Sequence, residues 1–166
     1  MEKYENALKL IETEGVIKDN KNVLESHESS GVLMERYLEN LVALKKELLG
    51  NMSIASSLIE VFDKSVKECL INIARNSLEV LCILKKISSE SIITNNKELF
   101  ERKNADYGNS FADFALIGVI VRLNDKINRI LNLGITTSTD KMKVDEKIED
   151  TINDLYNYCV IGLMYL

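Results

Sequence analysis

The chain contains no proline at all, and this feature most restricts the folds open to it. Glycine occurs only seven times in 166 residues. Proline and glycine are the residues that most often interrupt or end helices, so a chain that nearly lacks both can sustain long ones. Leu, Ile, Glu, Lys and Asn dominate the rest of the sequence, while aromatic residues are few. The composition therefore predicts an all-α protein.

Apolar residues recur at helical spacing along most of the chain. The segment from Gly31 to Leu49 repeats leucines every three or four residues, and Gly50 stands where a C-terminal cap is expected. A longer helix follows, to about Ile87, with Val66, Cys69, Ile73 and Leu81 on its apolar face. This density of apolar residues predicts a central helix in a bundle.

The second half of the chain predicts three further helices. A brief one spans 95–103, the next ends at Gly134 with Val121 and Ile127 facing inward, and the last begins near Val144. The last helix ends in the apolar run CVIGLMYL, which is either buried in the core or in contact with another subunit. We expect a single domain over residues 1–166.

Charge and cysteine content limit the classes of function. The formal net charge is −5, which argues against nonspecific binding to duplex nucleic acid. No apolar run approaches the ~20 residues needed to cross a bilayer, so we expect no membrane partner. The three cysteines lack metal-ligand spacing and predict reduced, structural thiols in the cytoplasm. The abundance of Asn, Lys and Ile indicates an AT-rich genome, that of a bacterium or a phage.

An acidic stripe marks the last helix, within the sequence DEKIEDTINDLYNY. At about 100° per residue, Glu146, Asp150, Asp154 and Asn157 share one face, opposite the apolar Ile148, Leu155 and Cys159. After Lys147 no lysine or arginine follows to the end of the chain, so Asp154 has no counterion one turn away on its own helix.

The preceding helix carries a mainly basic stripe. Arg122, Asp125, Lys126 and Arg129 fall within a sector of about 60°. If the two helices pack antiparallel, Asp125 can join Glu146, Asp150 and Asp154 as an oxygen ligand of Mg²⁺, and the cations, with Lys103, can neutralise a phosphate chain. This arrangement suits phosphoanhydride hydrolysis.

Simpler explanations of both stripes stay open. Acidic residues near a helix N-terminus are favoured by the helix dipole, which accounts for Glu146 and Glu149 but not for Asp154. The basic stripe also suits an ion-pair ladder within one helix. From spacing alone, a metal site and a solvated acidic face are equally compatible with the pattern.

Three ordered motifs carry a resemblance to a known family. KNADYGNSF begins at Lys103, RLNDKINRILNL at Arg122 and DEKIEDTINDLYNY at Asp145. Together they resemble the nucleotide modification associated domain 1 family, itself similar to the MazG-like all-α nucleoside triphosphate pyrophosphohydrolases. The similarity covers about residues 95–166, whereas residues 1–90 are additional N-terminal helices of unrecognised type.

The resemblance implies a MazG-like helical bundle that binds Mg²⁺ and cleaves a nucleotide between its α and β phosphates. The motif residues carried over are Asp106, Tyr107 and Gly108, then Arg122, Leu123, Asp125 and Lys126, then Asp150, Thr151 and Asp154. In the resulting hypothesis Glu149 is either the general base, acting through a water, or a solvent-facing residue, and Tyr107 stacks on the base. The predicted substrate ligands are Lys103, Asp106, Tyr107, Arg122, Lys126, Arg129 and Asn157. Such a fold also implies a homodimer or homotetramer.

The first acidic pair of MazG enzymes, ExxE, is replaced here by Asp125 among basic residues. This departure favours an alternative function, a noncatalytic protein that binds or sequesters a nucleotide or signal nucleotide. A purely structural helical protein is the third possibility.

Overall fold

A computed structural model describes residues 2–13, 30–54, 59–107, 111–136 and 141–166. These residues form helices and short turns, with no strand among them, which confirms the all-α prediction. The helices are α1 (Glu2–Thr13), α2 (Ser30–Ile54), α3 (Ile59–Lys85), α4 (Ser89–Tyr107), α5 (Phe111–Thr136) and α6 (Lys141–Met164). Among them, no helix combines the length and apolar character needed to cross a bilayer.

Four of the helices form a closed ring around the core. α2 packs on α3, α3 on α6, α6 on α5, and α5 on α2. This arrangement is a four-helix bundle in which each helix buries an apolar stripe against two neighbours. α1 lies against α6 and α3, and α4 lies mainly against α3. The ring therefore draws two helices from the first half of the chain and two from the second.

The buried faces of α3 and α6 agree with the predicted ones. Val66, Cys69, Ile73 and Leu81 on α3 are buried, as are Ile148, Leu155 and Cys159 on α6. The apolar end of α6 is also buried within this chain, from Cys159 to Leu163. Packing inside the chain therefore accounts for the first five residues of the run, whereas Met164 and Tyr165 are half-buried and Leu166 is 39% exposed.

Polar contacts fix how α2 and α3 pair. The Tyr37 hydroxyl and the Ser77 Oγ lie 2.7 Å apart in the buried interface. Nearer the other end of the pair, the Cys69 Sγ donates to the Leu44 carbonyl oxygen at 3.3 Å. Because the contacts advance along α2 as they recede along α3, the two helices are antiparallel.

Gly50 does not end its helix, contrary to the prediction from sequence. α2 continues to Ile54, and a Cβ atom placed on Gly50 would meet nothing within 4 Å. A glycine inside a helix costs only about 1 kcal/mol relative to alanine, which continued helical hydrogen bonding can offset. Gly50 is thus an interior position.

The prediction for α4 was too short. The helix spans Ser89–Tyr107, because Ser88 caps it: the Ser88 Oγ accepts a hydrogen bond from the Ser91 backbone N–H at 3.2 Å. The left-handed backbone of Lys86, with φ of 55°, separates α3 from this cap. The serines that follow Ile87, where the preceding helix was predicted to end, therefore begin α4.

Two smaller predictions were also wrong. Val121 was expected to face inward but is 54% exposed, because the buried stripe of α5 runs through Ile120, Leu123 and Ile127 instead. The last helix begins at Lys141 rather than near Val144.

Candidate functional site

Two side-chain contacts set the register between α5 and α6. The Lys126 Nζ lies 3.0 Å from the Asp154 Oδ2. One turn away, the Arg122 Nη1 donates to the Tyr158 hydroxyl at 3.5 Å, a long hydrogen bond. A step of four residues along α5 matches a step of four back along α6, so the helices are antiparallel. This packing places the basic stripe beside the acidic stripe, as the sequence argument required.

The same register relates a second pair of charges. One further turn along, Arg129 is level with Asp150 and Thr151, since both helices rise about 1.5 Å per residue. Arg129 and Asp150 are both exposed, whereas Thr151 is buried. The exposed rim of the α5–α6 interface thus presents Lys126 and Arg129 on one side and Asp154 and Asp150 on the other.

The ion pair at the centre of this rim is only partly shielded from water. The side chains of Lys126 and Asp154 are 25% and 43% exposed. Exposed pairs of this kind contribute roughly 0.2–1 kcal/mol to stability, which is too little to explain the pair as a structural necessity. Lys126 nevertheless supplies the counterion of Asp154, since α6 has no lysine or arginine after Lys147.

On the side away from α5, the polar stripe of α6 contacts other helices. The Tyr4 hydroxyl of α1 donates to the Asn157 Oδ1 at 2.9 Å, so this predicted substrate ligand is tied to the N-terminal helix. Asn153 forms two reciprocal amide hydrogen bonds with Asn96 of α4, each of 2.9 Å. α1 and α4 therefore flank the stripe opposite α5.

The predicted site residues differ in how far their side chains are exposed to solvent, and four of them lie wholly or partly outside the described structure. Lys103, Arg122, Asp125, Arg129 and Asp150 are exposed, and Lys126, Glu149, Asp154 and Asn157 are half-buried. The side chains of Asp106, Tyr107 and Glu146, together with Gly108, lie outside the described part of the structure. Within the described part, no three carboxylate, thiol or imidazole groups cluster as a metal site would need, and Glu146 falls outside that comparison.

Sequence reasoning missed the asparagines. Asn153 shares the stripe of Asp150 and Asn157 by its i,i+3 and i,i+4 spacing, which was the available signal. Its partner Asn96 is buried on α4, a helix that the sequence placed only in part. The polar edge of α6 is consequently wider, toward α4, than the acidic residues alone suggested.

The thiols take no part in this site. Burial raises the pKa of Cys69 to about 12 and that of Cys82 to about 11. Cys159 is fully buried, and its pKa is also raised by desolvation. Thiols of this kind stay protonated at neutral pH, so they are poor nucleophiles and metal ligands. The available chemistry rests on carboxylates, cations and amides.

Fold and site together describe an all-α bundle in which a carboxylate stripe faces a cationic one. Residues 103–166 match the family described as nucleotide modification associated domain 1. The match covers the end of α4, α5 and α6, and it confirms the resemblance to this family found in the motifs. Every candidate residue, from Lys103 to Asn157, falls within it. No curated protein and no solved structure matches the chain significantly.

Proposed function

We propose that the protein is a Mg²⁺-dependent nucleotide pyrophosphohydrolase of the MazG-like type, which cleaves between the α and β phosphates. The observation that carries the proposal is the juxtaposition of the two stripes through Lys126 and Asp154. A phosphate chain needs cations beside it, and a magnesium ion needs carboxylate oxygens. The described rim has both, inside the segment that matches the nucleotide modification family.

The donor set suits magnesium. Asp150 and Asp154 are one helical turn apart and both reach solvent, and the Oδ1 atom of Asp154 has no partner among the described residues. Mg²⁺ prefers one or two carboxylates, with water and phosphate oxygens completing its shell. We assign Asp150 and Asp154 as its principal ligands, with Asp125 and Glu146 beside them. When bound, the ion would withdraw charge from the phosphates and acidify an attacking water.

The side chains of the protein would bind the phosphates and the nucleoside and accept the proton of the attacking water. Arg122, Lys126 and Arg129 bind the phosphate oxygens and offset the negative charge that develops as the bridging P–O bond breaks. Glu149 accepts the proton of the water whose oxygen attacks the α-phosphorus, and pyrophosphate leaves. Lys103, Asp106, Tyr107 and Asn157 line the path of the nucleoside, with Tyr107 stacking on the base.

A nucleotide screen tests the proposal. The full chain is incubated with each nucleoside triphosphate and Mg²⁺, and released pyrophosphate is measured. We expect turnover of at least one nucleotide, a loss of at least about 100-fold in Asp150→Asn/Asp154→Asn, and unchanged activity in the control Glu35→Gln/Glu68→Gln, whose exposed carboxylates lie on α2 and α3. The proposal fails if no nucleotide yields pyrophosphate, or if the double aspartate variant matches the parent.

One observation favours a second candidate, a noncatalytic nucleotide-binding protein. Lys126 already neutralises Asp154, which weakens the attraction of that carboxylate for a metal ion. Calorimetry separates the two functions. A binder gives saturable heat with a nucleotide that chromatography recovers intact, whereas the enzyme returns nucleoside monophosphate.

A further inference from the structure

A polar groove lies beside the rim just described, where α6 meets α4. It has a volume of about 160 Å³ and runs between α4, the end of α3 and α6. Its polar lining comes from Lys85, Asn95, Asn96, Arg102 and Asn153. Two consecutive residues of α6 belong to different regions: Asn153 contacts α4 in the groove, whereas Asp154 contacts α5 in the rim.

The charged residues that line the groove are all positive. Lys85 and Arg102 line it, and no aspartate or glutamate does. Neither cation forms an ion pair with a residue that the structure describes. A phosphate monoester carries a charge of about −1.5 to −2 at neutral pH, which the two positive charges of Lys85 and Arg102 match.

The amides in the groove have hydrogen-bonding capacity to spare. An asparagine amide has two N–H donors and a carbonyl oxygen with two lone pairs. Asn96 uses both donors, on the Ile92 carbonyl oxygen and the Asn153 Oδ1. Asn153 uses one donor and one lone pair on Asn96, and no other described residue uses its second donor or second lone pair, so one of each can bind a ligand. Its pairing with the buried Asn96 also holds the amide in place.

The dimensions and apolar walls narrow the class of ligand. Ile92 and Leu99 on α4 line the groove beside the amides and can contact the carbon skeleton of a small molecule. The volume is below the roughly 300–1,000 Å³ of drug-sized pockets, so a complete nucleoside triphosphate is too large. A sugar of five or six carbons carrying one phosphate combines the required size, charge and hydroxyl groups.

We propose that this groove is a second ligand site, which binds the phosphate monoester of a small sugar without a metal ion. Lys85 and Arg102 hold the phosphate. Sugar hydroxyls bind Asn95 and the N–H and lone pair of Asn153 that no described residue uses. The site does not depend on the catalytic proposal, since it uses neither the aspartates of α6 nor the cations of α5.

Calorimetry on the full chain in EDTA and low salt tests this assignment. Ribose 5-phosphate, ribose and inorganic phosphate serve as probes. We expect saturable binding of ribose 5-phosphate, no binding of ribose, and at least tenfold weaker binding of inorganic phosphate. Lys85→Gln/Arg102→Gln should weaken ribose 5-phosphate at least tenfold, and Asn95→Ala, at an exposed position, severalfold.

Matched variants make the result decisive. Lys3→Gln/Lys46→Gln removes the same charge from exposed positions on α1 and α2 and should change the affinity less than twofold. Asp150→Asn/Asp154→Asn should leave groove binding intact whatever it does to nucleotide turnover. Three results would overturn the proposal: no saturable heat with ribose 5-phosphate, equal affinity for inorganic phosphate, or equal loss in the control pair. Melting curves by circular dichroism confirm that each variant is folded.

Discussion

The Asn96–Asn153 pair should be energetically coupled, and this coupling is measurable. Asn96 is 2% exposed, and its amide makes three hydrogen bonds of 2.9 Å, one to the Ile92 carbonyl oxygen and two to Asn153. Asn96→Leu, a change to a side chain of nearly equal shape, removes all three. It also removes both hydrogen bonds that the Asn153 amide makes with Asn96.

The magnitude follows from those contacts. A hydrogen bond contributes about 0.5–1.5 kcal/mol net, and stranding a polar group costs about 1–3 kcal/mol. Because Asn153 is half-buried, water replaces part of its loss, and we expect Asn96→Leu to lower the free energy of unfolding by about 2–3 kcal/mol. The double variant Asn96→Leu/Asn153→Leu has no stranded amide, so it should cost about 1 kcal/mol at most. Asn153→Leu strands a donor and the carbonyl oxygen of the buried Asn96 and should cost about 1–3 kcal/mol. The coupling energy, the sum of the two single losses minus the double loss, is then at least about 2 kcal/mol.

Urea unfolding followed by circular dichroism measures the cycle on the parent, both single variants and the double variant. The Asn40–Asn76 pair is the control, since its single hydrogen bond of 3.2 Å joins two half-buried side chains. Its coupling should stay below about 0.5 kcal/mol. Additivity at Asn96 and Asn153 within about 0.5 kcal/mol would refute the reasoning.

Three further predictions concern stability. Gly50→Ala should raise the free energy of unfolding by about 0.5–1 kcal/mol, because the added methyl group meets no atom within 4 Å and alanine favours the helix. A double-mutant cycle on Lys126 and Asp154 should give less than about 1 kcal/mol, because both side chains are partly exposed. Stability should fall above about pH 8.5: burial raises the pKa of Cys69 to about 12 and of Cys82 to about 11, so the folded state holds protons that the unfolded state releases. The loss is roughly 2 kcal/mol per thiol at pH 10 and is complete only as the pH passes the folded pKa values.

Each of these predictions has its own check. For Gly50→Ala, thermal and urea melts are compared with the parent, and a lower midpoint would contradict an interior helical position. For the ion pair, 1 M salt should abolish the coupling, so a large, salt-resistant value would be inconsistent with the exposure of the two groups. For the alkaline loss, urea melts at pH 7 and pH 10 are compared, and Cys82→Ala should show a smaller decrease than the parent. An equal decrease would assign the effect to other groups.

Sequence reasoning succeeded where periodicity alone decides the outcome. The buried face of α6 was predictable because Ile148, Leu155 and Cys159 repeat with the turns of the helix, opposite Asp150 and Asp154. A helix in a bundle must bury its apolar stripe, so that pattern fixes which side faces the core.

It failed where a local signal competes with structure contributed from elsewhere. Gly50 has the composition of a cap, but propensity amounts to about 1 kcal/mol and the continuing helix outweighs it. Val121 is apolar, yet it is 54% exposed, because Ile120, Leu123 and Ile127 form the face of α5 that is buried in the bundle.

The candidate site was predictable in its residue types and not in its pairing. The sequence predicted that a basic and an acidic stripe could face each other, while the register that joins Lys126 to Asp154 depends on how two whole helices settle together. The Asn96–Asn153 contact spans 57 positions of sequence, and no spacing rule within one helix can reveal it.

The closed ring of helices also bears on the order in which the chain can acquire its structure. During synthesis, α2 and α3 emerge before α5 and α6 and can pair through Tyr37 and Ser77 as a local antiparallel hairpin. The apolar surface of that hairpin stays open until α5 and α6, the helices of the matched family segment, arrive to cover it. The unit recognised in the sequence is therefore not the unit that folds. Residues 103–166 produced alone would lack the surface against which Cys159 and Leu155 are buried, and we expect such a fragment to aggregate or remain unfolded.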